Sequence, residues 1–94
     1  MTGKRRSPLE INVEILEAIR TTHKPTQILY KTQVSWDKLR SALDNLTRME
    51  LIEKTTYPMK RGQVRARYTY ALTDKGEKFL YKYREVIDII MELV

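Results

Sequence analysis

The sequence predicts a mainly helical α+β domain with three helices, a two-stranded hairpin and a long closing helix. Three observations carry that expectation. Apolar residues recur at helical spacing in separate stretches before Glu50 and again after Asp74. Between them, Tyr57–Leu72 alternates its side chains in the period of a strand. Helix-start signals stand at Ser7-Pro8, Lys24-Pro25, Ser35 and Thr73-Asp74.

The elements follow in order. Ser7 can cap the first helix, Pro8 suits its first position, and Glu10 can reach back to close a capping box. Ile11, Ile15, Ala18 and Ile19 then form one apolar stripe, with Leu9, Val13 and Leu16 beside it, to about Thr21. Lys24-Pro25-Thr26 breaks this helix and opens a short second one. Ile28 and Leu29 face inward there, with Tyr30 as a third candidate. Gln33-Val34-Ser35 forms a turn, and Ser35 is a suitable N-cap for a third helix. That helix sets Leu39, Ala42, Leu43, Leu46 and Met49 inside. Outside it shows Trp36, Asp37, Lys38, Arg40, Ser41, Asp44, Asn45 and Arg48. Two short helices joined by a tight turn, the second polar and basic outside, make a helix-turn-helix pattern.

The hairpin carries the most information. Val64, Ala66, Tyr68, Tyr70 and Leu72 form an apolar face, and Arg65, Arg67, Thr69 and Ala71 form the other. Pro58 to Gly62 supplies a turn bearing Lys60 and Arg61. Beyond it, Thr73-Asp74 caps a helix that extends to Val94, about 30 Å at helical rise. Phe79, Tyr83, Val86, Ile90 and Leu93 form one stripe on it. Leu80, Tyr83, Ile87, Ile90 and Val94 form a second beside the first. Two stripes exceed what a domain of this size needs to cover itself. The excess predicts pairing with a second copy through Leu80, Tyr83, Ile87, Ile90, Met91 and Val94, as an antiparallel coiled coil or helix pair; the alternative is that both stripes wrap the protomer's own core or that the last turn frays. Gly76 weakens the first turn of this helix, so it is expected to allow close approach to the sheet.

Charge and composition narrow the function. With 94 residues the chain has room for one core, and its formal net charge is +6. The excess is local: Lys54, Lys60, Arg61, Arg65 and Arg67 fall between Lys54 and Leu72 with no acidic residue among them. Such a hairpin, placed after a helical pair, fits a polyanionic partner. Cysteine is absent, which excludes disulfides and thiolate metal sites. No apolar run approaches the roughly 20 residues of a membrane span, and the basic N-terminus lacks an apolar segment behind it. A soluble, cytoplasmic protein associated with the nucleoid is expected. With a single histidine, no glycine-rich phosphate loop and no paired carboxylates, neither an enzyme nor a cofactor is expected.

Candidate contacts to double-stranded DNA come from three places. In the third helix, Ser35, Trp36, Lys38, Arg40 and Ser41 lie where a recognition helix meets base edges. Lys38 and Arg40 can donate to guanine or to phosphate, and Asp37 can cap the helix or accept from cytosine. Trp36 can lie against the DNA or fold back on Tyr30 or Val34 to brace the turn. Lys31 can reach the backbone from the end of the second helix. On the hairpin, Lys60, Arg61, Arg65 and Arg67 suit phosphate or minor-groove contacts, although edge-strand charge also protects against aggregation. Lys4, Arg5 and Arg6 form either a minor-groove arm or a solvated tail. His23 reads as a turn residue rather than a ligand or base. Tyr68 and Tyr70 belong to the apolar face.

The element order, with ILEAI at Ile15–Ile19, PTQILYKTQVS at Pro25–Ser35, LRSALDNLTRMELIEK at Leu39–Lys54 and YALTDKGEKFLYKY at Tyr70–Tyr83, resembles small archaeal winged-helix DNA-binding proteins. The Tyr-x-Leu-Thr-x-Lys-Gly junction is the most specific part, and the 10a-type archaeal chromatin proteins are similar in having a terminal dimerisation helix. The resemblance runs from about Ile11 to Val94, and the expected division is a flexible basic tail over 1–6, a winged helix-turn-helix over 7–73 and a dimerisation helix over 74–94. It departs at Glu50, where such proteins often have glycine ending the third helix. A non-glycine residue there must adopt the left-handed conformation or change the turn. The function implied is transcription regulation by a DNA-binding homodimer. The alternatives are a sequence-tolerant chromatin protein and a winged-helix protein-interaction module. No residue identifies an effector.

Overall fold

The computed structural model describes residues 6–62 and 67–93. Its order is α1 (Pro8–Thr21), α2 (Pro25–Thr32), α3 (Trp36–Arg48), β1 (Ile52–Tyr57), β2 (Arg67–Leu72) and α4 (Asp74–Leu93). This is the winged helix-turn-helix architecture, three helices and a two-stranded antiparallel wing, with a long C-terminal helix. Val64, Arg65 and Ala66 of the predicted hairpin lie outside the described residues, as do Lys4, Arg5 and Val94.

Local chemistry sets each helix start. Ser7 and Glu10 form the predicted capping box, the Ser7 hydroxyl accepting from Glu10 N at 3.1 Å and Glu10 Oε1 accepting from Ser7 N at 3.2 Å. Ser35 caps α3 by accepting from the Lys38 amide at 3.3 Å. Helix α2 starts on Pro25 with no side-chain cap. It ends at Gln33, whose φ of 54° turns the chain toward α3.

The core joins Ile15, Leu16 and Ile19 of α1 to Ile28 of α2 and Leu39, Leu43 and Leu46 of α3. Leu51, Ile52, Tyr70 and Leu80 close it from the sheet and α4. The strands pair from Ile52↔Leu72 to Tyr57↔Arg67. One face therefore carries Ile52, Lys54, Thr56, Tyr68, Tyr70 and Leu72, and the other Tyr57, Arg67 and Thr69. Tyr70 is buried, and Tyr68 packs partly buried with its ring edge-on to Tyr70 at 5.8 Å. The alternation read from the sequence is thus present over Arg67–Leu72.

Two inward assignments do not hold. Tyr30 is 86% exposed, because the eight-residue α2 buries only Ile28 and Thr32, and Tyr30 points the opposite way. Met49 is exposed because it caps α3 instead of extending it; Leu51 takes the inward position. Between them Glu50 adopts φ 64°, the left-handed option. Its amide donates to Thr47 O and the Leu51 amide to Leu46 O, each at 3.0 Å. This is the paired bond pattern of a Schellman stop, with buried Leu46 and Leu51 supplying its apolar contact.

The start of α4 is fastened onto that stop. Thr73 donates its amide to Leu51 O at 3.1 Å and its hydroxyl to Glu50 O at 2.6 Å. The same hydroxyl accepts from Gly76 N at 3.0 Å, and Lys75 Nζ donates to Met49 O at 2.9 Å. A Cβ on Gly76 would lie 2.1 Å from Leu51 O, so no side chain fits. Farther along, Arg20–Glu77 and Arg84–Glu17 pair α4 with α1 at 3.4 and 3.1 Å.

Gly76→Ala is therefore expected to lower the unfolding free energy by about 2 kcal/mol, since the obstacle is backbone. Glu50→Gly relieves the left-handed strain and is expected to match or exceed wild type by up to about 1 kcal/mol. Urea denaturation at one fixed protein concentration checks both.

Candidate nucleic-acid interface

The exposed arc of α3 runs from Trp36 through Arg40, Asp44, Asp37 and Ser41 to Lys38. Trp36 sits at the rim nearest the wing and is 36% exposed. The Arg40 guanidinium lies 5.7 Å from its ring centroid, one helical turn on, so the two act as one cationic-aromatic unit. The ring does not fold back on Tyr30, which is exposed on α2. Instead it lines a cleft with Lys24, Pro25 and Thr26 at the start of α2 and Tyr57, Arg67 and Thr69 on the wing. Lys38 and Ser41, at the other rim, line a second cleft with Asn12 and Arg6 beside α1. Asp37 stands in the first turn of α3, where its charge suits the helix dipole.

The wing continues the first cleft. Tyr57, Arg67 and Thr69 also border a depression with Pro58 and Lys60. One surface therefore runs from Trp36 to Lys60 with Tyr57 and Arg67 between them. Arg61 is exposed beside Lys60, and Gly62 closes the turn at φ 86°. Arg65 lies outside the described residues. Lys54, counted with the basic cluster by sequence, lies on the wing's other face, with its ammonium 4.3 Å from the Tyr68 ring centroid.

A backbone strap positions the helix-turn-helix against the wing. Tyr70 N donates to His23 O at 3.0 Å, and His23 Nδ1 lies 2.9 Å from Tyr70 O. A carbonyl only accepts, so Nδ1 carries the proton. His23 is thus a turn residue with a structural partner on β2. Nearby, Thr22 donates its hydroxyl to Gln27 Oε1 across the bend. Lys31 donates to Thr21 Oγ1 at 2.6 Å, which draws its ammonium toward the end of α1. Arg6 pairs with Glu14 at 2.6 Å and donates to Thr32 O at 2.8 Å, so it ties the N-terminus to α1 and α2.

Lys24, Thr26 and Tyr57 were not singled out from the sequence, and Thr69 was placed on the Arg67 face without being named a contact. Strand alternation could have found Tyr57, which shares that face. Lys24 and Thr26 arrive through the His23–Tyr70 strap, which leaves no local sequence signal.

These features define a winged helix-turn-helix, and the winged helix-turn-helix family model matches residues 5–91. The chain belongs to that family. The uncharacterized protein MJ0290 of Methanocaldococcus jannaschii is 32% identical over 87 residues, 92% of this chain and 36% of that protein. The chain thus spans about a third of that relative. Two solved structures share the fold. A PadR family transcription regulator from Clostridium difficile has TM-score 0.76 at 17% identity, covering 88% of this chain and 92% of its own. Sso10a-2, a DNA-binding protein from Sulfolobus solfataricus, has TM-score 0.73 at 22% identity, covering 94% and 85%. Among the described residues no helix is long and apolar enough to cross a membrane.

Burial, then the neighbouring Tyr68 and Asp44, raises the Tyr70 phenol above its ordinary 10.0. The unfolded chain ionises this group first. Its contribution to stability is therefore complete below pH 10 and is lost as pH rises through the higher folded value. Tyr70→Phe is expected to shrink the alkaline fall in stability, read from melts between neutral pH and pH above 10.

Proposed function

We propose that the chain binds duplex DNA as a homodimer and acts as a transcription regulator, with the N-terminal part of α3 in the major groove and the wing along the adjacent backbone. The continuous surface from Trp36 and Arg40 through Tyr57 and Arg67 to Lys60 carries this reading. It joins the two elements a winged helix uses on DNA, and the charged groups lining its two depressions, Lys24, Lys60 and Arg67, are cationic. Arg40, Lys38 and Ser41 reach base edges, Ser35 holds the helix start at the groove, and Lys60, Arg61, Arg65 and Arg67 neutralise phosphates. Lys31 serves the backbone at the margin. Family membership and the shared fold of the PadR transcription regulator support regulation; the shared fold of the DNA-binding Sso10a-2 supports the nucleic-acid partner. The protein would act with the nucleoid, in the cytoplasm.

The dimer rests on α4. Leu80 is only 2% exposed in its own protomer's core, so its side chain has no surface left for a second chain, contrary to the spacing argument. Tyr83 is partly buried and stacks on Phe79 at 6.3 Å, which leaves it at the margin. Beyond it, Val86, Ile87, Ile89, Ile90, Met91 and Leu93 are all exposed. So much apolar surface on one helix end calls for a partner.

Two measurements test this. Binding to a random duplex and to the gene's own upstream DNA, over a salt series, is expected to be tighter for the upstream DNA. The slope of log affinity against log salt should be about −0.9 per neutralised phosphate, and Lys60→Glu/Arg61→Glu should abolish binding at physiological salt. Equal binding to both duplexes would instead favour an architectural chromatin protein, and none at low salt a protein-interaction module. In sedimentation at micromolar concentration, wild type should have the mass of two chains and Ile87→Glu/Ile90→Glu that of one. A single-chain wild-type mass removes the dimer.

A further inference from the structure

We propose that the wing tip is an apolar wedge that enters the minor groove and unstacks a base step, so that binding bends the duplex. This rests on the DNA reading above and adds a deformation that the reading does not require.

The observation is the composition of the tip. Tyr57, Pro58 and Met59 follow one another, and all three are exposed, Tyr57 at 48% and Met59 at 53%. They stand past the last core-facing pairs of the sheet, where Tyr57↔Arg67 ends the described ladder. None of the three is among the described residues that form the core or pack against it. Pro58 suits the turn and Tyr57 ends the ladder, but neither role calls for an exposed Met59 between them and the cations.

Their setting fits nucleic acid. Lys60 and Arg61 follow directly, and Arg67 stands across the ladder from Tyr57. Pro58 and Tyr57 wall the same depression as Lys60 and Arg67, on the surface that leads to Trp36. With α3 in the major groove, that surface delivers the tip to the neighbouring minor groove. Met and Pro are among the side chains that wedge base steps there. A flexible, polarizable Met adapts its shape to the opened step, and cations on both sides neutralise the phosphates that bending draws together. Pyrimidine–purine steps open most easily, so the wedge adds preference for such a step without a hydrogen bond to any base.

The test separates bending from binding. A duplex of roughly 30 base pairs with a central TA step carries a dye at each end and 2-aminopurine beside the step. Saturating wild-type protein is expected to shorten the dye separation, in line with a bend of about 20–90°, and to brighten the 2-aminopurine. Met59→Ser, whose side chain lies in solvent and whose melting curve should match wild type, is expected to bind while losing both signals. A bound wild type that leaves the duplex straight overturns the wedge and leaves DNA binding standing. So does a Met59→Ser complex that bends the duplex like wild type. Wild type that fails to bind at low salt overturns the DNA reading and the wedge with it.

Discussion

The backbone of α4 approaches the end of α3 more closely than any side chain allows. Gly76 lies against the Leu51 carbonyl, where a Cβ would stand 2.1 Å from oxygen. Thr73 holds that approach by bonding both Glu50 and Leu51, while Glu50 takes the left-handed conformation that turns the chain into β1. Three elements leave this one junction: α3, the first strand of the wing and the terminal helix. Their relative directions are therefore fixed together. Leu51 and Gly76 are buried, while Glu50 and Lys75 are exposed and Thr73 is half-buried, so the close backbone contact at Gly76, more than the hydrogen bonds at the rim, makes the junction costly to rearrange. Leu46, Leu51, Ile52 and Leu80 form part of the core on its inner side.

The same rigidity connects the two ends of the molecule. At one end, the His23–Tyr70 strap holds the helix-turn-helix to β2, so Trp36 meets Tyr57 and Arg67 across a cleft. At the other, α4 leaves along α1, aligned by the Arg84–Glu17 and Arg20–Glu77 pairs. These pairs are exposed and serve orientation more than stability. Covering the apolar end of α4 with a second copy would set the spacing of the two α3–wing surfaces through one stiff rod.

Much of the fold was legible in local pattern. The capping box at Ser7, the cap at Ser35 and the strand alternation from Arg67 to Leu72 are consequences of a few neighbouring residues, and each appears as expected. Glu50 shows why even a departure from the family pattern was readable: the stop needs a left-handed residue whichever side chain occupies it. The misassigned residues share a cause. Tyr30 and Met49 fit a helical stripe, but exposure depends on where the helix ends and what faces it, which periodicity does not encode. Leu80 has the spacing of an interface residue and is consumed by its own core. The site was legible as types of residue and less so as an arrangement. Arg40 and Trp36 are neighbours by helical spacing, whereas Lys24 and Thr26 join the cleft only through the tertiary strap.

The central claim is that one face, from the first turn of α3 to the wing, meets DNA. Amide chemical-shift mapping of the 15N-labelled protein against a short duplex tests it most directly. Perturbations are expected to cluster at Ser35–Ser41, Tyr57–Gly62 and Arg67–Thr69, with the second half of α4 unmoved. Perturbations centred on α4, or none at low salt, would contradict the claim.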